Sequence, residues 1–191
     1  MEKSDKIVGV ILNGGKSSRM GQDKSALKLT NTTLLEHTKQ LFIDSGLEDI
    51  FISGKHGIED KYQDKGPLAG ILACLNYLTD HDFVLFIPVD MPLLTKEIIT
   101  KLQSHKKATV VYFQNYNLPL MIKNNKKIRA LIEKQIKSEK LSIYQLFDLL
   151  KAKALANNYP KKLFINTNSP QQWQNAKKIY TELNLNKSKV R

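Results

Sequence analysis

The chain has 191 residues, 41% apolar and 25% charged, which suits one folded domain with a sizeable core and excludes a disordered or fibrous chain. Its single cysteine, Cys74, excludes an internal disulfide framework and a cysteine-rich zinc site, and no apolar run approaches the roughly 18 residues of a membrane span, so the cytoplasm is expected. The net charge of +12 is uneven: residues 1–95 carry 10 basic and 13 acidic groups, whereas residues 96–191 carry 20 and 5.

The first 90 residues alternate strand, loop and helix. Ile7 to Leu12 (IVGVIL) is a short branched-apolar run that suits a strand buried on both faces. It runs into NGGKSSRMGQDK, which has neither helical nor strand period and holds three glycines. Thr33 followed by Glu36 is a capping-box signal for a helix to about Ser45. Ile50 to Ser53 follows as a second strand, and GPLAG (residues 66–70) opens an apolar helix to about Leu78 with Cys74 inside it. Phe83 to Ile87 (FVLFI) reads as the central strand and ends in PVDMP.

Beyond it, Thr95 starts a helix to about Ser104, and Ala108 to Phe113 and Leu118 to Lys123 read as two strands. Ile128, Leu131, Ile132 and Ile136 mark an amphipathic helix whose other face is mostly Lys, and Ser142 with Gln145 caps another. Leu163 to Ile165 is expected to be a late strand. Ser169 then Pro170 starts a final helix towards Leu183, with residues 187–191 expected to form a fraying tail. Alternating strands and helices imply right-handed crossovers, hence a single α/β domain of three layers around a mostly parallel sheet.

In such sheets the ligand crevice lies at the carboxyl ends of the strands. Gly14 and Gly15, after the first strand, let the backbone approach a ligand and turn amides towards phosphate, and Arg19 and Lys24 would add positive charge. A plain tight turn explains two adjacent glycines equally well, and neither the Walker spacing nor GxGxxG is present. Asp90 follows the most apolar strand between Pro88 and Pro92, which suits a magnesium ligand shared with substrate phosphates, or a turn or helix-capping aspartate. Gly66, Pro67 and Gly70, preceded by Asp64, allow close approach of a ligand or form a structural turn. His37, His56, His81 and His105 have no ligand spacing, and Cys74 reads as a small core residue.

The string LNGGKSSRMGQDK, residues 12–24, resembles the LAGGxSxRMGxDK signature of the molybdenum cofactor guanylyltransferases (MobA) and the wider nucleotidyltransferase superfamily around them. GPLAG and PVDMP follow in that family's order, and FINTNSP (residues 164–170) is similar to its FxNxNTP segment. The resemblance implies a Rossmann-like fold that binds GTP with Mg2+ and transfers GMP to the terminal phosphate of molybdopterin, releasing pyrophosphate. It implies that residues 1–95 mainly serve nucleotide and Mg2+, and residues 96–186 the acceptor.

Carried over position by position, Leu12, Asn13 and Gly14 hold the nucleotide through backbone groups, and Gly15, Arg19 and Lys24 lie along the phosphates. Asp90 binds Mg2+, Asp64 is the acid upstream of GPLAG, Ser53 stands where relatives often have Asn, and Asn166 and Asn168 lie on the pterin side. Arg19, Lys24 and Asp90 are the expected catalytic set. Three departures fall on this pattern: Asn13 for the usual Ala, Leu118 for a His before Pro119, and SEKLS at residues 138–142 where glycine and arginine are expected.

The chemistry agrees with those residue types. Attack of a phosphate oxygen on the α-phosphate of GTP joins two anions, so catalysis needs charge neutralisation and in-line placement more than a general base. The resemblance leaves a related transferase as the alternative, using CTP with molybdopterin or a nucleoside triphosphate with a sugar phosphate. The basic half would suit the pterin phosphate, an acidic cofactor-delivery protein or the molybdoenzyme that receives the product. A nucleic-acid-binding module is the reading from another class. It is disfavoured because 27 of the 30 basic residues are Lys, with Arg19, Arg129 and Arg191 the only bidentate phosphate readers.

Overall fold

The computed structural model describes residues 5–14, 24–54, 57–62 and 65–188. Six strands form one sheet in the order β2-β1-β3-β5-β4-β6, with β1 at Ile7–Leu12, β2 at Ile50–Ser53, β3 at Phe83–Pro88, β4 at Val110–Phe113, β5 at Leu120–Lys123 and β6 at Lys153–Leu155. The β1–β2, β1–β3 and β4–β6 pairs are parallel, and β5 runs against both β3 and β4. The sheet is therefore mostly parallel with one reversed strand. β4 and β5 are joined by a short connection, which suits an antiparallel pair, whereas parallel neighbours need a crossover.

Six helices cover both faces: α1 (Leu34–Asp44), α2 (Pro67–Tyr77), α3 (Lys96–Gln103), α4 (Lys126–Lys137), α5 (Ile143–Leu149) and α6 (Pro170–Ser188). The alternation along each strand decides the two cores. Ile11, Leu85, Ile87, Phe113 and Met121 face α1, α3 and α6, while Val8, Val10, Val84, Phe86 and Ile122 face α2, α4 and α5. Gly9 interrupts β1 because a Cβ there would sit 3.0 Å from the Phe42 ring, so its absence lets α1 pack down on the sheet. No helix among the described residues is long and apolar enough to cross a membrane.

Local signals hold at most helix starts. Thr33 and Glu36 form the reciprocal capping box of α1, and the Ser142 hydroxyl accepts from the Gln145 amide at the start of α5. Thr95 precedes α3 without a side-chain cap bond, and the α4 start is instead capped by Asn125, whose side chain accepts from Ile128 N. One expectation is corrected. Residues expected as a strand at Leu163 to Ile165 form a short 3-10 turn, Lys161–Phe164, and Leu163 and Phe164 are buried in the α1/α3/α6 core. The sixth strand is Lys153–Leu155, only three residues long and half exposed, too brief and too polar to show an apolar period. α6 continues to Ser188, and residues 189–191 of the expected tail lie outside the described residues.

Candidate active site

The chain runs from β1 to β2 on one side of the sheet, then crosses to β3 on the other side of β1. This reversal opens a crevice beyond the carboxyl ends of β1 and β3, the usual ligand position in open α/β sheets. The register puts Ser53, Leu12 and Pro88 in one row at that edge. The three strand exits are tied together by their backbones: the Asn13 amide donates to Ser53 O at 3.3 Å and the Val89 amide to Leu12 O at 3.1 Å. Leu12, Asn13, Ser53 and the Asp90 loop thus lie together at one edge of the sheet. Gly14 is exposed, and a Cβ there would meet nothing within 4 Å.

Asp90 owes its presentation to its neighbours. Val89 and Met91 are buried on either side of it, and Asp90 itself is half-buried in the turn that follows β3. The Asp90 carbonyl accepts two bonds from Thr167, one from the amide at 2.9 Å and one from the hydroxyl at 3.2 Å. Thr167 is fully buried, while Asn166 and Asn168 on either side of it are exposed. The segment singled out for its asparagines therefore pins the Asp90 loop through the residue between them. His37 on α1 holds the other end of that loop, its Nε2 lying 2.9 Å from the Pro92 carbonyl and its ring edge-on to Tyr180 of α6 at 5.3 Å. Burial lowers the pKa of His37 from its ordinary value, although the Pro92 carbonyl opposes the shift.

A second acid enters the site that the sequence did not single out. Asp60 is half-buried against α2: a Cβ on Gly70 would lie 3.4 Å from Asp60 Oδ1 and 3.8 Å from Ser53 Oγ. Gly70 thus leaves a shallow bay where the end of β2, the loop after it and the first turns of α2 meet. Asp60 Oδ1 is buried with no hydrogen-bond partner, and desolvation raises its carboxyl above the usual range. One turn along α2, the Cys74 thiol is pushed up to about 12 by burial and by the nearby Asp60 charge. Both Asp60 and Asp64 precede GPLAG, and nothing in the sequence alone distinguishes which would reach the bay.

The loop that carries Asp60 is built on two glycines. Gly54, at φ +100°, lies so close to the exit of β1 that a Cβ would sit 2.7 Å from Asn13 O. Gly57 lies so close to β2 that a Cβ would sit 2.0 Å from Ile52 O. The turn is closed by Gly57 N to Gly54 O and Ile58 N to Ile52 O, at 2.9 and 2.8 Å. Of the remaining expected residues, Gly15, Arg19 and Asp64 lie outside the described residues, as does His56. Lys24 opens a short 3-10 turn, Lys24–Ala26, with its side chain outside the described part. Among the described residues, no group of three or more His, Cys, Asp or Glu is arranged to hold a metal by itself.

Comparison with known proteins agrees with this geometry. Residues 9–155 match the family model described as a MobA-like NTP transferase domain. A molybdenum cofactor guanylyltransferase from Xanthomonas euvesicatoria is 32% identical over 173 residues, covering 86% of this chain and 91% of that protein. A probable molybdenum cofactor guanylyltransferase from Bacillus mycoides is 26% identical, covering 91% of this chain and 96% of that protein. Among solved structures, molybdopterin-guanine dinucleotide biosynthesis protein A from Archaeoglobus fulgidus superposes with a TM-score of 0.70 at 18% identity, covering 92% of this chain and 99% of that one. With its crevice at the β1/β3 reversal and a family match over about three-quarters of its length, the chain belongs to the MobA-like NTP transferase family.

Proposed function

We propose that this chain transfers GMP from GTP to the terminal phosphate of molybdopterin, releasing pyrophosphate, and does so in the cytoplasm with Mg2+. The observation that carries the reading is the convergence, at the sheet's reversal point, of the β1 exit at Asn13–Gly14, the Ser53–Asp60–Gly70 bay and the pinned Asp90. The similarity to molybdenum cofactor guanylyltransferases supports guanine over other bases.

In this reading the backbone of Leu12, Asn13 and Gly14 lines the nucleotide, and Gly15, Arg19 and Lys24 lie along its phosphates. Asp60, rather than Asp64, is the acid of the nucleotide site. Its orphaned, buried oxygen needs a donor, and an amine or hydroxyl of the nucleotide would supply one. Asn166 and Asn168 face the acceptor, joined to the metal side through Thr167. A single carboxylate on a held backbone fits Mg2+, which takes most of its remaining ligands from water and substrate phosphates. When bound through Asp90, the ion would neutralise phosphate charge as the two anions are brought together. Lys24 would hold the triphosphate in line, and the phosphate nucleophile, already ionised at neutral pH, needs no base. A protein that delivers the pterin or receives the product would be the partner.

Calorimetry with GTP, CTP and ATP in the presence of Mg2+, on the wild type and Asp90→Ala, tests the reading. Selective GTP binding whose Mg2+ dependence disappears in the variant is expected. Preference for CTP would overturn the base assignment, and absence of nucleotide binding would overturn the site.

A further inference from the structure

The opposite edge of the sheet, where the parallel strands begin, is built differently. There a cavity of about 830 Å³ opens between the end of α3, the approaches to β4 and β6, and the end of α5. Lys106, Lys107, Lys151 and Lys153 line it, all four exposed, and no carboxylate is among the lining residues. Among the described residues, none of these four ammonium groups has a carboxylate within ion-pair distance. Lys151 stands at φ +49°, in the left-handed position that ends α5, where the Ala152 amide reaches back to Phe147 O at 2.8 Å. Glycine or asparagine fits that backbone best, so the position carries an ammonium at the expense of local preference.

The other half of the same edge has the opposite sign. Asp5, Glu48, Asp49, Asp80 and Asp82 all fall just before β1, β2 or β3, and Lys6 before β1 and Lys123 beside Phe83 offset them only in part. The sheet order separates these strands from β4 and β6, and at roughly 4.8 Å per strand the centres of the two halves lie about 15–20 Å apart. That exceeds the screening length of about 8 Å at physiological salt, so neither half neutralises the other.

We propose that the lysine-lined cavity is the docking site for an acidic segment of a partner protein. Two features favour side-chain carboxylates over phosphate. α3 and α5 both direct their carbonyl ends to this edge, so the cavity offers no helix N-terminal amides to cradle a phosphate. Lysine ammonium groups on long stems also read charge without the bidentate geometry that arginine gives to phosphate. Nucleic acid is disfavoured because no Phe, Tyr or Trp lines the cavity, and its single imidazole, His105, is held by the Lys101 carbonyl 2.9 Å from its Nδ1. The acidic half of the edge would repel the same partner and so fix its orientation.

The test uses the full chain and a fluorescently labelled deca-glutamate peptide, followed by anisotropy in about 50 and 150 mM salt. Three double variants with the same charge change are compared: Lys151→Glu with Lys153→Glu, Lys106→Glu with Lys107→Glu, and, on α6, Lys177→Glu with Lys178→Glu. Either cavity pair is expected to weaken binding at least about tenfold and to melt like the wild type because its lysines are exposed. The α6 pair, although it removes the Lys177 ammonium 5.6 Å from the Trp173 ring centroid, is expected to weaken binding less than about twofold. The proposal is overturned by no binding to the wild type at the lower salt, or by equal losses in all three pairs. It is also overturned by tighter binding of an oligonucleotide or tripolyphosphate of matched charge, or by self-association that the cavity variants abolish. Because peptide binding is read rather than turnover, such a failure would leave the proposed nucleotide site standing.

Discussion

Replacing Gly54 by alanine probes how the nucleotide edge is assembled. At φ +100° an L residue is strained, and the new Cβ would sit 2.7 Å from Asn13 O and 3.1 Å from Asn13 C. These contacts are with backbone, so no side chain can swing away to relieve them. The left-handed backbone costs on the order of 1–3 kcal/mol, and the clash adds to it, which places the total near 2–3 kcal/mol. For a chain of this size, that corresponds to a fall of about 5–10 °C in Tm. The strain also falls on Asn13, whose amide bond to Ser53 O, at 3.3 Å, is already long. The nucleotide Kd should therefore rise together with the loss of stability. Thermal melting by circular dichroism and calorimetric titration with GTP read the two effects. Gly14→Ala is the control for the melting measurement only, since nothing lies within 4 Å of its added methyl, and its stability should stay within about 0.5 kcal/mol of wild type. If Gly54→Ala melts within about 1 °C of wild type and binds GTP within about twofold, the close crossing of the β1 and β2 exits does not shape the site.

Thr167→Val should cost about 0.5–1.5 kcal/mol, because it removes one of two bonds to Asp90 O while the amide bond keeps that carbonyl satisfied. In a turnover assay it should raise the Mg2+ concentration needed for half-maximal rate, and Thr167→Ser should restore it; an unchanged Mg2+ requirement would refute the clamp. Asp60→Asn should stabilise the free protein at neutral pH. The folded carboxyl titrates above its unfolded value, so its charged form opposes folding above that pKa and the penalty disappears as pH falls through it. Denaturant melts of the two proteins should thus differ most near pH 7 and converge in acid, while GTP affinity drops in the variant. Cys74, at about 12, leaves only about one thiolate in ten thousand at pH 8, so a colorimetric thiol reagent should react with it only after denaturant is added.

Much of the fold was legible in the sequence because its strands and helices carry strong, unmixed periods. IVGVIL and FVLFI are apolar on both faces because helices cover both sides of the sheet. Thr33 with Glu36 is the capping pair observed. β6 escaped because three residues at a sheet edge show no period, and Leu163–Phe164 misled because the same apolar residues serve a buried turn. At the site, Asp90 could be singled out from its strand and flanking prolines. Asp60 could not be distinguished from Asp64, since a carboxylate's distance from Gly70 depends on how the loop folds over β2, which Gly54 and Gly57 decide. Thr167 was passed over for its asparagine neighbours, because a buried clamp on a backbone carbonyl has no chemical signature in the side chain that makes it.

The family match ends at residue 155, yet the Asp90 carbonyl is held by Thr167 across 77 positions of chain. A graft of the N-terminal unit alone onto a relative's C-terminal segment would therefore inherit Asp90 without its own chain's fastening. In functional chimaeras of this family, residues 88–92 and 164–170 should travel as one cassette, and a fragment ending at the family boundary would lose Leu163, Phe164 and Trp173 from the α1/α3/α6 core together with the clamp.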